Sequence, residues 1–178
     1  MRDRFDKIII ALLVIVLAGS VAILLGAAPG TAEQDAALNR KLEREIAYQA
    51  RLAFLDRHYR PVLELRDQGA LQEALLKLEE LGRSLPGEAH NDMLTGDIML
   101  RMGAFERSLS KLASAVRRNA DYVDAASPLN QRPLIESAVS EGLPLMRDRL
   151  RAQPDSPSLE QVVKDGYYLQ SRLAGGCE

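Results

Sequence analysis

The sequence predicts an all-α protein, and three observations lead to this expectation. Aromatic residues make up only 4% of the chain and tryptophan is absent, a composition that favours helices over a β-sandwich. Residues 35–59 contain no glycine or proline and place apolar residues at helical spacing. Two later segments also match each other at an offset of 34 residues, and a period of this length indicates a repeated supersecondary unit.

The charge balance, the single cysteine and the two histidines argue against a nucleic-acid partner, an internal disulfide and a metal site. The chain of 178 residues carries 23 basic and 25 acidic side chains, whereas a general polyanion binder is basic, so we expect no nucleic-acid partner. The single cysteine, Cys177, cannot form an internal disulfide. His58 and His90 are the only histidines, and neither has a second ligand at metal-binding spacing. We therefore expect no metal and no cofactor.

The N-terminal part of the chain predicts a membrane anchor. Residues 8–25 are apolar apart from Ser20, and a helix of this length spans about 27 Å, close to the thickness of a bilayer core. A secretory signal peptide is the alternative, because the small residues near Gly30 and Ala32 resemble a cleavage site. The apolar run of a signal peptide is typically about 7–15 residues, which is shorter than this one, so we favour an uncleaved signal anchor.

The flanking charges predict the orientation of this anchor. Residues 1–7 carry Arg2, Arg4 and Lys7, and the positive-inside rule places such a segment in the cytoplasm. The expected protein is therefore single-pass in an inner or plasma membrane, with its C-terminal domain in the periplasm or its equivalent. Residues 26–32 contain glycine and proline and are expected to form a hinge.

Residues 33–54 are expected to form a stalk helix. Leu38, Leu42 and Ile46 share one face of it. We expect this stripe to pack on the following helices, because the segment supplies too few heptads for a dimeric coiled coil. Pro61 predicts a kink or a restart of the helix.

The internal match covers residues 67–87 and 101–121. Gly69 matches Gly103, and Leu78 matches Leu112. Each segment is typical of a glycine-containing turn followed by a helix, since glycine permits the backbone conformation that a tight turn needs.

A helical hairpin repeated every 34 residues resembles the tetratricopeptide repeat. Residues 89–122 match that family best, because Gly96, Leu112 and Ala115 fit its glycine, phenylalanine and alanine positions. Residues 55–88 form a weaker repeat. The resemblance implies an α-α hairpin array over residues 55–156. The alternative is a generic bundle of α-helical hairpins with an accidental period.

The third repeat, residues 123–156, is degenerate. It lacks both glycines, and three prolines predict short or irregular helices: Pro128, Pro133 and Pro144. Residues 157–174 are expected to form a capping helix, because Ser156 and Pro157 are typical of a helix start and Gly175 of a helix end. Residues 175–178 are expected to be a flexible tail.

The resemblance further implies that the first helices of the repeats line a groove that binds a protein segment. The candidate partner-binding residues are Tyr59, Leu63, Arg66, Met93, Asp97, Leu100 and Arg101. Their mixture of apolar and charged side chains suits a helix or an extended segment. The protein's own C-terminal helix is the alternative occupant of this groove. Other polar side chains are expected to be solvated: His90 at a helix start, and the basic stripe of Arg107, Lys111 and Arg118.

These features together predict a non-catalytic interaction or scaffold module. With its anchor in the bilayer, the protein is expected to be an accessory or assembly subunit of a membrane protein complex of the cell envelope. One alternative is a small membrane-anchored envelope enzyme, but Glu136 and Glu141 are five residues apart and make a poor catalytic pair on a helix. The other alternative is a secreted helical adaptor, released by signal cleavage.

Overall fold

The structure, a computed structural model, describes residues 12–21 and 30–175, with side chains from residue 36 onward in the second range. All the regular structure in these ranges is helical, and no strand occurs in them, which confirms the all-α class. The helices are α1 (12–21), α2 (Gly30–Asp67), α3 (Leu71–Ser84), α4 (Ala89–Arg101), α5 (Phe105–Arg118), α6 (Arg132–Ala152) and α7 (Pro157–Leu173), with a 3-10 turn at Ala120–Tyr122.

The predicted anchor, residues 8–25, lies only partly within this description. Among the described residues, no helix has the length and apolar character needed to cross a bilayer. The remainder of the predicted span, the segment 1–7, most of the predicted hinge and residues 176–178 lie outside the described residues.

The contacts within the chain divide it into two units, residues 1–54 and 55–178. In the first unit, Leu38, Leu42 and Ile46 are each more than half exposed. Within this unit the stripe is not covered, and its packing on the following helices stays a prediction.

Helix α2 passes through Pro61 without interruption, so the predicted restart at this residue is wrong. A proline inside a helix removes one backbone hydrogen bond and crowds the preceding turn. Here Leu55, Tyr59 and Val62 are buried on either side of Pro61. Their burial in the core compensates for the lost bond, and tertiary packing overrides the local signal.

The turns after α2 and α4 are built on matching glycines. Gly69 has a φ of 78° and Gly103 a φ of 72°, a left-handed conformation that glycine adopts at little cost. The glycine turns predicted from the internal match are therefore confirmed. Helices α3 and α5 follow these turns, and each is 14 residues long.

Helices α4 and α5 form the most closely packed pair of the second unit. Gly96 lies against Leu112, and the Ser108 hydroxyl donates a 2.8 Å hydrogen bond to the Gly96 carbonyl oxygen. Small residues at the crossing allow the two backbones to approach each other. Around this pair lies the core, whose largest fully buried aliphatic side chains are Leu78, Met93, Ile98, Leu109, Leu112, Ile135, Met146 and Leu169.

Helix α6 corrects the prediction of short, irregular helices in residues 123–156, because it is continuous over 21 residues. Pro133 lies in its first turn, where a missing N–H costs no helical hydrogen bond. Pro144 lies inside the helix, next to the buried Leu143. Burial of one face of α6 therefore outweighs the proline, as it does in α2.

Helix α7 begins and ends at the residues that its sequence signals predict. The Ser156 hydroxyl accepts a 3.5 Å hydrogen bond from the backbone N–H of Leu159. Gly175 follows the helix with a φ of 80°. Arg132 of α6 donates a 2.7 Å hydrogen bond to the carbonyl oxygen of Leu173, which joins the end of α7 to the start of α6.

Candidate functional site

The structure buries two of the predicted partner-binding residues. Tyr59 is 0% exposed and Met93 is 1% exposed, so neither can contact a partner. The ring of Tyr59 instead packs edge-on against the ring of His90, with 4.8 Å between the ring centroids. The prediction that Tyr59 and Met93 line an open groove is wrong, because these side chains fill the space between helices.

Most of the other predicted residues meet at one open cavity of about 510 Å³. We call this cavity the α4–α6 groove. Its lining side chains are Arg66, Asp97, Leu100, Arg101, Gln131, Leu134, Ser137 and Glu141. Leu63 is half-buried on α2 and is not one of these lining residues.

Sequence reasoning missed the side of the groove that α6 supplies. Gln131 precedes α6, and Leu134, Ser137 and Glu141 follow at helical spacing along it. The spacing of these residues was visible in the sequence, but the nearby prolines argued against a long helix there. No residue of α7 lines the groove within the described part of the chain. The C-terminal helix is therefore not the occupant.

A buried carboxylate organises the charges of the groove. The side chain of Asp97 is only 6% exposed. Its Oδ2 accepts a 2.9 Å hydrogen bond from Nη1 of Arg66, and its Oδ1 accepts a 2.8 Å bond from Nε of Arg101. Arg101 lies four residues after Asp97 on α4, the spacing at which helical side chains meet. Both carboxylate oxygens are therefore paired with guanidinium groups.

All three guanidinium nitrogens of Arg66 contact carboxylates. In addition to its bond to Asp97, it donates a 2.8 Å hydrogen bond from Nε to the carboxylate of Asp67, and its Nη2 lies 2.8 Å from the same oxygen. Partial burial lowers the pKa of the Arg66 guanidinium, but the hydrogen bonds and charges of Asp67 and Asp97 outweigh burial and raise this pKa. Arg66 is therefore a permanently charged structural partner of Asp97.

Arg101 is held at one nitrogen only. Its Nε is bonded to Asp97, and among the described residues its Nη1 and Nη2 have no partner. Its side chain is 50% exposed. The outer edge of this guanidinium therefore remains available for a ligand in the groove.

The basic stripe on α5 is exposed, as predicted, but two of its three side chains also pair with a buried carboxylate. Lys111 donates a 2.8 Å hydrogen bond to Oδ1 of Asp92, and Arg118 lies 3.3 Å from Oδ2 of the same carboxylate. The neighbouring Arg117 donates a 2.7 Å bond to Asp165 of α7. Both carboxylates are buried. These basic side chains therefore join α4 and α7 to α5.

His90 lies at the start of α4, as predicted, but it is half-buried rather than solvated. Its Nδ1 is 3.1 Å from the hydroxyl oxygen of Tyr122. The imidazole thus packs between Tyr59 and Tyr122. Within the described ranges, no cluster of three histidine, cysteine, aspartate or glutamate side chains is placed to hold a metal ion.

Comparison of the chain with family models, with curated proteins and with solved structures finds no match.

Proposed function

We propose that this protein is a membrane-anchored interaction module of the tetratricopeptide-like type. In this proposal it is a non-catalytic accessory or assembly subunit of a membrane protein complex of the cell envelope. The observation that carries the proposal is the α4–α6 groove, an open cavity with two leucines and several polar side chains. In this proposal a helix or an extended segment of the partner lies in this groove.

The spacing of the helices supports the repeat. Helix α2 ends at Asp67 and α4 ends at Arg101, and the next helices begin at Leu71 and Phe105. These boundaries recur at the same period of 34 residues as the internal sequence match. A generic bundle of helical hairpins has no reason to repeat both its sequence and its helix ends in this way.

The packing of α4 on α5 gives further support. Gly96, Leu112 and Ala115 occupy the glycine, phenylalanine and alanine positions of the family pattern. In the structure Gly96 contacts Leu112, and both Leu112 and Ala115 are 0% exposed. The residues that carry the resemblance are thus core residues at a close helix crossing.

The membrane anchor and its orientation rest on the sequence. The apolar run of residues 8–25 is long enough to span a bilayer, and the cations of residues 1–7 favour a cytoplasmic N-terminus. In this arrangement the domain that carries the groove lies in the periplasm or its equivalent. Its partner would then be another subunit of a complex in the same membrane or envelope.

A site-specific crosslinking experiment tests the proposed function. A photo-reactive amino acid is placed at Leu134 of the full chain, in the groove, and the chain is irradiated in its native membrane. We expect a crosslinked product of one discrete mass. The matched control is Leu76 of α3, which is 67% exposed and is not a groove residue. A partner recovered equally from both positions, or from neither, contradicts the proposal.

Topology and cleavage need separate measurements. A reporter that is active only in the cytoplasm, fused after Glu178, should be inactive. The intact mass of the purified protein should include residues 1–32. An active reporter would contradict the orientation, and loss of residues 1–32 would instead support a secreted adaptor.

A further inference from the structure

We propose that Arg101 is the specificity residue of the α4–α6 groove, and that it binds an aspartate or glutamate side chain of the partner segment. In this proposal an apolar residue next to that acidic residue contacts Leu100 and Leu134. This inference rests on the proposed function, because it names the chemistry of the segment that the groove takes.

The two arginines that share Asp97 differ in how many of their nitrogens are already bonded. Arg66 uses Nε, Nη1 and Nη2 for Asp67 and Asp97, which occupies three of its five N–H donors, and its side chain is only 21% exposed. Arg101 uses only Nε, and its Nη1 and Nη2 have no partner in the described part of the chain. Arg101 is therefore the better placed of the two to offer a pair of donors, since its side chain is 50% exposed.

The second step concerns the position of these donors. A free arginine on a surface loses rotamer entropy when it binds, which weakens the interaction. The Nε of Arg101 is already fixed by a carboxylate that is itself 6% exposed and is held from the other side by Arg66. The guanidinium is therefore oriented before any ligand arrives. Two parallel N–H groups match the two oxygens of a carboxylate.

The third step concerns the kind of anion. Arg66 and Arg101 contribute two positive charges to the lining, and Asp97 and Glu141 contribute two negative charges. A groove that is neutral overall has no excess positive charge to offset the desolvation of a dianionic phosphate, which costs more than that of a single carboxylate. A single carboxylate on a segment with an apolar neighbour fits better, since Leu100 and Leu134 also line the cavity.

The test uses the full chain in a nonionic detergent and a displayed library of random dodecapeptides as the probe. We expect the selected peptides to be enriched in Asp or Glu adjacent to a large apolar residue. When the Arg101→Gln variant is the target of the selection, the selected peptides should lose the enrichment in Asp and Glu and keep the enrichment in large apolar residues. The matched control, Arg83→Gln, changes an exposed arginine of α3 that pairs with Glu79, and should select the same peptides as the wild type.

Affinity measurements on one selected peptide complete the test. Replacing its acidic residue by the corresponding amide should weaken binding to the wild type about tenfold or more, as expected for loss of a charge-assisted hydrogen bond. The same replacement should have little effect on binding to Arg101→Gln. The melting temperature of Arg101→Gln, measured in parallel, should show that the variant is folded.

Several results would overturn the inference. They are a library without acidic enrichment, equal enrichment with Arg101→Gln, no selected peptide, or competition by inorganic phosphate that is stronger than competition by glutarate. These results contradict only the role of Arg101. The proposed function is still supported if a photo-reactive residue at Leu134 crosslinks to one discrete partner. The reverse result, an acidic consensus without a crosslink at Leu134, would contradict the proposed function instead.

Discussion

Gly96 of α4 lies directly against Leu112 of α5. A Cβ atom added to Gly96 would be 2.7 Å from both Cγ and Cδ2 of Leu112, and 3.2 Å from its backbone nitrogen. The two 2.7 Å distances are shorter than any ordinary contact between carbon atoms. Because Leu112 is fully buried, its side chain has no free space to move into. The absence of a side chain at residue 96 therefore sets the distance between the two helices.

The first prediction follows from this contact. Gly96→Ala should lower the free energy of unfolding by about 1–3 kcal/mol, the usual cost of inserting a methyl group into a packed core. This cost should exceed the gain of helix propensity that alanine brings, which is about 1 kcal/mol. Denaturant unfolding of the full-length protein, followed by circular dichroism, measures the change.

The control for this variant is Gly82→Ala in α3. A Cβ atom there would meet only the end of the Asn91 side chain, 3.1 Å from Nδ2 and 3.8 Å from Cγ, and no backbone atom. We expect Gly82→Ala to be neutral or stabilising, because alanine favours the helix. If Gly96→Ala unfolds with the same free energy as the wild type, then residue 96 and Leu112 are farther apart than in the structure, and this explanation of the crossing is wrong.

The second prediction concerns the buried carboxylate of Asp92. It accepts hydrogen bonds from Lys111 and from the Ser114 hydroxyl, both 2.8 Å long. Its basic partners are about half exposed and can be solvated when Asp92 is removed. Asp92→Ala should therefore cost about 1–3 kcal/mol of unfolding free energy, less than the loss of a fully buried ion pair.

The matched control is Asp148→Ala. Asp148 pairs with Arg151 on α6, and both side chains are about 70% exposed. Exposed pairs contribute about 0–1 kcal/mol, so this variant should stay close to the wild type. Equal effects of the two substitutions would show that burial of Asp92 does not strengthen its interactions.

The third prediction concerns the pH dependence of the pair between Arg66 and Asp97. A group whose pKa is raised by folding contributes stability that is fully present below its unfolded pKa. This stability is lost only as the pH rises through the folded pKa. The pKa of Arg66 is raised above the ordinary arginine range. The stability difference between the wild type and Arg66→Gln should therefore be constant from about pH 6 to pH 10.

Urea unfolding at several pH values checks this expectation. The reference variant is Arg60→Gln, which removes an exposed arginine of the same helix and its pair with Asp56. Its effect should be small at every pH, since exposed pairs contribute little. A difference for Arg66→Gln that declines toward pH 10 would contradict a raised pKa.

The sequence was informative where a local rule decides the structure. The turns at Gly69 and Gly103 require a positive φ, and glycine is the residue that adopts it easily. The start of α7 needs a capping side chain, which Ser156 provides. These features depend on a few adjacent residues. They could therefore be predicted without knowledge of the packing.

The sequence was less informative where packing overrides a local preference. Pro61 predicted a kink or a restart of the helix and Pro144 a short or irregular one. Both α2 and α6 are nevertheless continuous, because residues beside each proline are buried. Tyr59 and Met93 were assigned to a groove from a repeat position, and their true exposure depends on how α2 and α4 are rotated in the core. Glycine and proline act within a few residues, whereas burial depends on contacts between distant segments.

The last prediction separates Met93, a core residue from the original set of candidates, from Leu134, a groove residue that α6 adds. Met93→Ala should cost about 2–5 kcal/mol of unfolding free energy, because it leaves a cavity at a side chain that is 1% exposed. Leu134→Ser should cost about 1 kcal/mol or less, because Leu134 is half-buried at the edge of an open cavity. The same serine should greatly reduce crosslinking of a partner through a photo-reactive residue at Leu100, since it removes apolar surface that the partner would contact. Denaturant unfolding and crosslink yield are measured on the same preparations. A large loss of stability for Leu134→Ser, with an unchanged crosslink yield, would make Leu134 a core residue and would place the partner elsewhere on the molecule.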